Sequence, residues 1–250
     1  MKEIEAFLAA NPSEIVTLIL EDYVETPNGL PKLFKDSGLT KYWFPVSSMP
    51  QNGQDWPLVS DMVASNQRLV VFTSIKSKQD TEGVAYQWNY MVENQYLEIY
   101  FSSDYVDGDD GMEDGKCFNR AESASLSDTT KSLVLVNYFS SIPVKQTTCE
   151  DNSGRLINML DTCYVAANNR WANFVAVDFY KVLLLLEVTE EGHFKQQICL
   201  MGDCSVAVMM YTHAWLGLLL VHAAVLNSND DTNSLWFYWP LCTATYRSIQ

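Results

Sequence analysis

Short apolar runs rich in β-branched residues alternate with amphipathic segments along the first three quarters of the chain. Four of these runs predict buried β-strands, at residues 15–20, 68–73, 132–137 and 173–178. Apolar side chains spaced three and four residues apart predict helices at residues 2–10, 30–35, 56–64 and 155–166. Strands that alternate with helices are typical of a parallel sheet covered by helices, so the sequence predicts an α/β fold.

Each predicted strand ends in polar or acidic side chains. These strand-end groups are Glu21, Asp22, Ser74, Lys76, Asn137 and Asp178. In parallel sheets, ligands bind where the carboxyl ends of the strands meet, so we expect any chemistry at this edge. Two interpretations stay open for Asp22, Ser74, Lys76 and Asn137: hydrogen-bonded rim residues or contacts to a substrate.

The composition describes a globular chain of one or two domains. Of its 250 residues, 48% are hydrophobic and 19% are charged, which is enough apolar material for a sizeable core. Sixteen Lys and Arg residues against 31 Asp and Glu residues give a net charge of -15. This charge opposes a sequence-independent hold on phosphate backbones, so nucleic acid is excluded as the main partner.

The cysteines do not form a metal-binding pattern. None of the six belongs to a CxxC pair or to a Cys/His group with zinc spacing, so a structural metal is not expected and disulfides remain open. The acidic stretch 102–115 lacks the glycine position of an EF-hand loop and is interpreted as a solvated loop. The first residues carry no basic region followed by an apolar run, so no signal peptide is predicted.

The composition changes after Lys181. Residues 206–226 contain no Asp, Glu, Lys or Arg, and a run of this length could span a bilayer as a helix. However, the run contains His213, His222 and a central Gly217, and no cluster of Lys or Arg flanks it to set an orientation.

Several motifs, in order along residues 1–181, resemble plant proteins with a phosphatidylinositol-specific phospholipase C X domain, within the PLC-like phosphodiesterase superfamily. The motifs are at residues 11–16, 20–23, 41–45, 55–58, 86–90, 93–96, 119–123 and 169–180. The resemblance implies a TIM-like β/α barrel, which needs about eight strands. Residues 1–181 would supply the later part of one, so a partial barrel is expected.

The resemblance also implies a reaction, phosphodiester hydrolysis of a phosphoinositide-type lipid. One histidine takes the proton from the inositol 2-hydroxyl, and a second protonates the leaving oxygen. In the family both lie upstream of the segment that begins here at Met1, whereas His193, His213 and His222 all follow Lys181. No catalytic residue is therefore carried over, and we expect a phosphoric diester hydrolase relative without activity.

Other positions take roles from the resemblance. Glu21 matches a carboxylate ligand of calcium-dependent members, although an acidic strand end facing solvent is an equal alternative. Asp178 could orient a catalytic histidine, and Asp22 and Lys76 would belong to the rim. The aromatic residues Trp43, Phe44, Trp88 and Tyr90 could line the mouth or pack in the core. The family resembles secreted or cell-surface proteins.

Two segments depart from the family pattern. Residues 97–107 look like an insertion. Codons for residues 205–214, read two bases later, can encode Cys-Gly-Cys-Asp-Asp-Val-His-Ala-Cys, which resembles the family's cysteine-rich end. We therefore expect residues 182–250 to be an irregular, frame-shifted tail outside the family fold. Two alternatives to an inactive enzyme remain: a non-catalytic inositol-lipid-binding module, and a membrane protein inserted through residues 206–226.

Overall fold

The computed structural model describes residues 1–95, 115–139, 148 and 151–179, together with the backbone of four later strands. The helices are α1 (Lys2–Ala10), α2 (Gly29–Asp36), α3 (Val59–Ala64), α4 (Ser77–Glu82) and α5 (Leu156–Ala166). The strands before the tail are β1 (Val16–Leu20), β2 (Leu69–Thr73), β3 (Ala85–Tyr86), β4 (Met91–Glu93), β5 (Leu133–Asn137) and β6 (Phe174–Val177). The tail strands are β7 (Leu184–Val188), β8 (Phe194–Cys199), β9 (Ala207–Met210) and β10 (Val221–Leu226). The apparent insertion 97–107 lies outside the described residues.

The predicted α/β class is confirmed. The four predicted strands correspond to β1, β2, β5 and β6, and the four predicted helices correspond to α1, α2, α3 and α5. Neighbouring strands run parallel in the pairs β1–β2, β2–β3, β4–β5 and β5–β6. The buried runs were recognisable because parallel strands bury both faces and are therefore apolar throughout.

The eight strands of the main sheet run in the order β3-β2-β1-β10-β9-β6-β5-β4. Its two outermost strands, β3 and β4, are consecutive in sequence, and only residues 87–90 lie between them. A connection this short reaches at most about 18 Å, so the two ends of the sheet lie close together.

Side chains alternate between the two faces of the strands and build separate cores. One face of the strands β1–β6 contributes to a single shared cluster that includes Ile19, Phe72, Met91, Leu135 and Phe174. On the other face, α1 and α2 pack against β1 and β2. Helix α5 packs against β5 and β6 in a third cluster. One face of these strands therefore builds a shared core, and the helices α1, α2 and α5 pack on the other face.

One disulfide is formed within the described residues. Cys117 bonds to Cys163 across 46 positions of sequence, and Cys163 lies on α5. Closing a loop of this length removes chain entropy from the unfolded state, which corresponds to about 4 kcal/mol of stability. The bond ties the loop after Gly115 to a helix that is packed on the sheet.

A turn at Gly53 packs tightly against the loop before β5. Gly53 has a φ of 74°, in the left-handed region that favours glycine. A Cβ atom at this position would lie 2.3 Å from the carbonyl oxygen of Thr129. Both the backbone conformation and the close approach therefore require a residue without a side chain.

Two tail strands take part in the main sheet. β10 pairs with β1 in parallel, while β9 pairs antiparallel with both β10 and β6. The apolar run 206–226 contains these two strands, and residues 211–220 lie outside the described part. None of the described helices is long and apolar enough to cross a membrane. The division into a family region 1–181 and a separate tail 182–250 stays a prediction.

Candidate functional site

Asp22, at the carboxyl end of β1, forms a buried ion pair with Lys78 of α4. The Lys78 ammonium donates to both carboxylate oxygens, at 2.9 and 2.8 Å, and to the Val24 carbonyl oxygen at 2.6 Å. The Thr73 hydroxyl donates to Asp22 Oδ2 at 2.7 Å, and the Val24 amide donates to Oδ1 at 2.9 Å. Each carboxylate oxygen thus accepts two hydrogen bonds, so Asp22 serves to hold Lys78 and the chain after β1 in place.

Glu93, at the end of β4, is a second buried carboxyl, with an exposed fraction of 3%. Its Oε2 accepts hydrogen bonds from Trp88 Nε1 at 2.7 Å and Gln87 Nε2 at 3.1 Å. Its Oε1 accepts one from Asn137 Nδ2 at 2.8 Å and forms an ion pair with Arg120 at 3.3 Å. Burial raises the pKa of Glu93, and the Arg120 charge is the largest influence in the other direction.

Asn137, at the end of β5, is locked to the end of β4. Its backbone amide donates to Asn94 Oδ1 at 2.6 Å, and its side chain donates to the Asn94 carbonyl oxygen at 2.8 Å. Asn94 returns a hydrogen bond from Nδ2 to the Asn137 carbonyl oxygen at 3.1 Å. This exchange fixes the orientation of the Asn137 amide beside Glu93.

Arg120 reaches the same place from the loop that follows the disulfide. Its guanidinium lies 5.2 Å from the centre of the Trp88 ring and pairs with Glu122 at 3.0 Å. Its backbone amide donates to the Glu93 carbonyl oxygen at 3.0 Å. The loop therefore runs beside the end of β4 and brings the Arg120 guanidinium to Glu93 and Trp88.

Glu21 and Tyr23 complete the group on the side of β1. A hydrogen bond with the Glu21 side chain is the largest cause of the raised pKa of Tyr23, and the Arg120 charge acts on this hydroxyl in the opposite direction. Both side chains are exposed. We call Glu21, Tyr23, Trp88, Glu93 and Arg120 the mouth cluster, because they gather at the carboxyl ends of the strands.

The calcium prediction for Glu21 finds no support from its described neighbours. Calcium takes six to eight oxygen ligands, and the described residues contain no group of three His, Cys, Asp or Glu side chains that could hold a metal. Asp22, the adjacent carboxylate, is occupied by Lys78. Within the described residues no further carboxylates gather with Glu21, so its role as a calcium ligand stays a prediction.

The remaining predicted positions have different surroundings. Lys76 is exposed after β2. Asp178 follows β6 and is mostly buried, and its carbonyl oxygen accepts a hydrogen bond from Asn152 Nδ2 at 2.8 Å. Phe44 and Tyr90 belong to the core, and Trp43 packs on Phe34. Of the four aromatic candidates, Trp88 is the one that joins the mouth cluster.

Sequence reasoning assigned no role to Lys78, Glu93 or Arg120. Lys78 lies in a helix that is polar all round, and its partner is 56 residues away. Glu93 and Arg120 do fall within motifs that carry the family resemblance, at residues 93–96 and 119–123. That shared membership was the available signal that these two residues act together.

The fold and the mouth cluster define an α/β domain with buried polar groups at the ends of parallel strands. The PI-PLC X family, under the description PI-PLC X 1, matches residues 1–183, so the chain belongs to the PI-PLC X family. The recognition made from the motifs is thereby confirmed.

A relative supports this assignment. A PI-PLC X domain-containing protein of Arabidopsis thaliana is 52% identical over 180 residues, which cover 72% of this chain and 40% of the relative. The chain thus spans less than half the length of that relative. No solved structure matches this chain.

Proposed function

We propose that this chain binds the head group of an inositol phospholipid at the mouth cluster and does not hydrolyse the phosphodiester. Hydrolysis of phosphoric diesters in lipid metabolism is the chemistry that the family suggests. That reaction needs a general base for the inositol hydroxyl and a general acid for the leaving oxygen. Binding needs only polar and apolar groups of suitable geometry.

The position of His222 supports the proposal that the chain does not hydrolyse the phosphodiester. His222 lies opposite Val16 at the start of β1, whereas Glu21 follows the last residue of that strand. Five residues of strand separate the two levels, which is about 16 Å. His193 and His213 lie outside the described residues. The described strand ends therefore offer carboxyl, amide and guanidinium groups but no imidazole to transfer protons.

We also propose that the sheet is part of a TIM-like β/α barrel. The shared core of β1–β6 and the closeness of β3 to β4 support this, because a closed sheet needs both. In such barrels ligands bind at the carboxyl ends of the strands, which is where the mouth cluster lies.

The chemistry of the cluster suits a phosphorylated polyol on a lipid. Arg120 of the cluster provides positive charge for a phosphate, and so does Lys76, which lies outside the cluster and is exposed after β2. Glu21 and Tyr23 provide exposed oxygen atoms for hydroxyl groups. Exposed apolar side chains near these strand ends, Tyr23, Ile75 and Phe118, could contact the lipid surface.

Vesicle flotation tests the binding. The purified chain is mixed with phosphatidylcholine vesicles containing either phosphatidylinositol or an equal amount of phosphatidylserine, which has the same charge. We expect flotation with phosphatidylinositol and reduced flotation for Lys76→Gln. Lys35→Gln is the matched control, because Lys35 is exposed in the last turn of α2, away from the strand ends. Equal flotation on both vesicle types would contradict head-group recognition.

A turnover assay tests the missing cleavage. We expect no release of inositol phosphate from phosphatidylinositol, with or without calcium. Release that disappears in Glu21→Ala would show that the chain is active and that Glu21 serves catalysis. The flotation result does not depend on this outcome, so binding and inactivity can fail separately.

A further inference from the structure

We infer that Arg120 is a positioning residue of the mouth cluster, which keeps the buried Glu93 carboxyl ionised and thereby holds Trp88 and Asn137 in place. This role concerns the unliganded protein. It can be tested without any lipid, so its failure would be distinguishable from failure of the proposed function.

Four side chains surround the Glu93 carboxyl, those of Gln87, Trp88, Arg120 and Asn137. Trp88 and Arg120 can only donate hydrogen bonds, and the Asn137 amide is oriented as a donor because it also serves the Asn94 carbonyl. An ionised carboxylate accepts from all of them. A protonated carboxyl must also donate, and only the Gln87 amide could turn to accept that hydrogen bond.

Burial and nearby charges decide the protonation of the Glu93 carboxyl. Burial disfavours the ionised form and raises the pKa of Glu93. Two charged residues act on this carboxyl: Arg120 lowers its pKa, and Glu122 raises it. Glu122 is itself paired with Arg120. Among the described residues, Arg120 therefore acts twice. Its positive charge opposes the rise in the pKa of Glu93 that burial causes, and its ion pair with Glu122 partly neutralises the negative charge that acts in the same direction as burial.

Arg120 is itself held in place by its neighbours. Its amide donates to the Glu93 carbonyl oxygen, and the Glu93 amide donates to Ser123 Oγ at 2.9 Å. Three residues before Arg120, Cys117 is bonded to α5. The backbone of β4, the disulfide and the Trp88 ring thus fix the position of the Arg120 guanidinium. A guanidinium held in this way can orient Glu93 and its partners.

The experiment follows the carboxyl of Glu93 and the indole N–H of Trp88 by NMR during a pH titration. Glu93→Gln and Trp88→Phe assign the two signals. In the unsubstituted protein both signals should change with one midpoint, because protonation of the carboxyl alters the hydrogen bond it accepts from the indole. Removing an opposite charge within 4–6 Å typically changes a carboxyl's proton affinity by about tenfold or more. Arg120→Gln should therefore move both midpoints to higher pH, and Arg120→Lys should restore part of the shift.

Arg155→Gln is the matched control, because Arg155 lies directly before α5, is half-exposed and pairs with Asp151 four residues earlier instead of with Glu93. It should leave both midpoints unchanged. An equal shift in Arg155→Gln, or none in Arg120→Gln, would overturn the inference. If Arg120→Gln does not fold, the unsubstituted protein still decides: a Trp88 signal that does not change while Glu93 titrates would show that the carboxyl does not hold the ring.

Discussion

Breaking the buried pair of Asp22 and Lys78 should destabilise the fold far more than breaking the exposed pair of Lys32 and Asp36. The Asp22 side chain is 0% exposed and the Lys78 side chain 9%, and Lys78 donates three hydrogen bonds, two to Asp22 and one to Val24. Replacing Lys78 with Met leaves a buried carboxylate that keeps only the Thr73 and Val24 donors. Removing one member of a buried pair typically lowers the free energy of unfolding by about 3–5 kcal/mol.

The matched control is the pair of Lys32 and Asp36, one turn apart on α2, whose side chains are 75% and 58% exposed. Lys32→Met should change the free energy of unfolding by no more than about 0.5 kcal/mol, because exposed pairs of this spacing are worth little. Both variants are compared by urea unfolding of the full chain, with the midpoint and the slope fitted separately.

A double-mutant cycle distinguishes the ion pair from simple loss of packing. Asp22→Leu and Lys78→Met together remove both charges, so the double variant should be more stable than the two single losses predict, by about 2 kcal/mol. Additive losses would show that the two charges do not stabilise each other. A loss below about 1 kcal/mol in Lys78→Met would refute the reasoning, because it would mean that the carboxylate is hydrated after the change.

Three further results are expected. Cys117→Ser with Cys163→Ser should lower the free energy of unfolding by about 4 kcal/mol, measured in urea against the oxidised protein, and an unchanged midpoint would show that the bond does not constrain the unfolded chain. Gly53→Ala should destabilise by clearly more than the roughly 1 kcal/mol expected for Gly83→Ala, since both have positive φ but only Gly53 meets a carbonyl oxygen. Because burial raises the pKa of Glu93 above 4.5, the stability of the protein relative to Glu93→Gln should be greatest below that pH and should fall as the pH rises through the raised pKa. Thermal melts at a series of pH values check this, and a difference that grows with pH would show that the pKa is lowered instead.

The main strands were predictable because each is an apolar run of sufficient length. Residues 16–20 and 69–73 are buried at every position, so the sequence of each strand alone, a largely apolar run, is enough to predict it. β3 and β4 are only two and three residues long, so no periodicity can reveal them. Their pairing is decided by partners that lie elsewhere in the chain.

The polar site was predictable only as a location. Glu21, Asp22 and Asn137 lie at the carboxyl ends of β1 and β5, while their part in a site stays a prediction. The strand-end rule could not show that Asp22 is neutralised by a lysine from a polar helix, or that Glu93 is neutralised by an arginine 27 residues away. Such pairs depend on distances in space. Shared membership in the family motifs could indicate that Glu93 and Arg120 belong to one region, but it could not show that they form a pair.

The loop that delivers Arg120 also shields a sheet edge. The Phe118 carbonyl oxygen accepts a hydrogen bond from the Gln95 amide just after β4. The Arg120 amide donates to the Glu93 carbonyl oxygen, and the Glu93 amide donates to Ser123 Oγ, so the outward backbone groups at the end of β4 are satisfied. Unpaired strand edges recruit strands of other molecules. Any change that releases this loop should therefore make the protein self-associate, and an increase in light scattering would accompany the loss of order around Glu93.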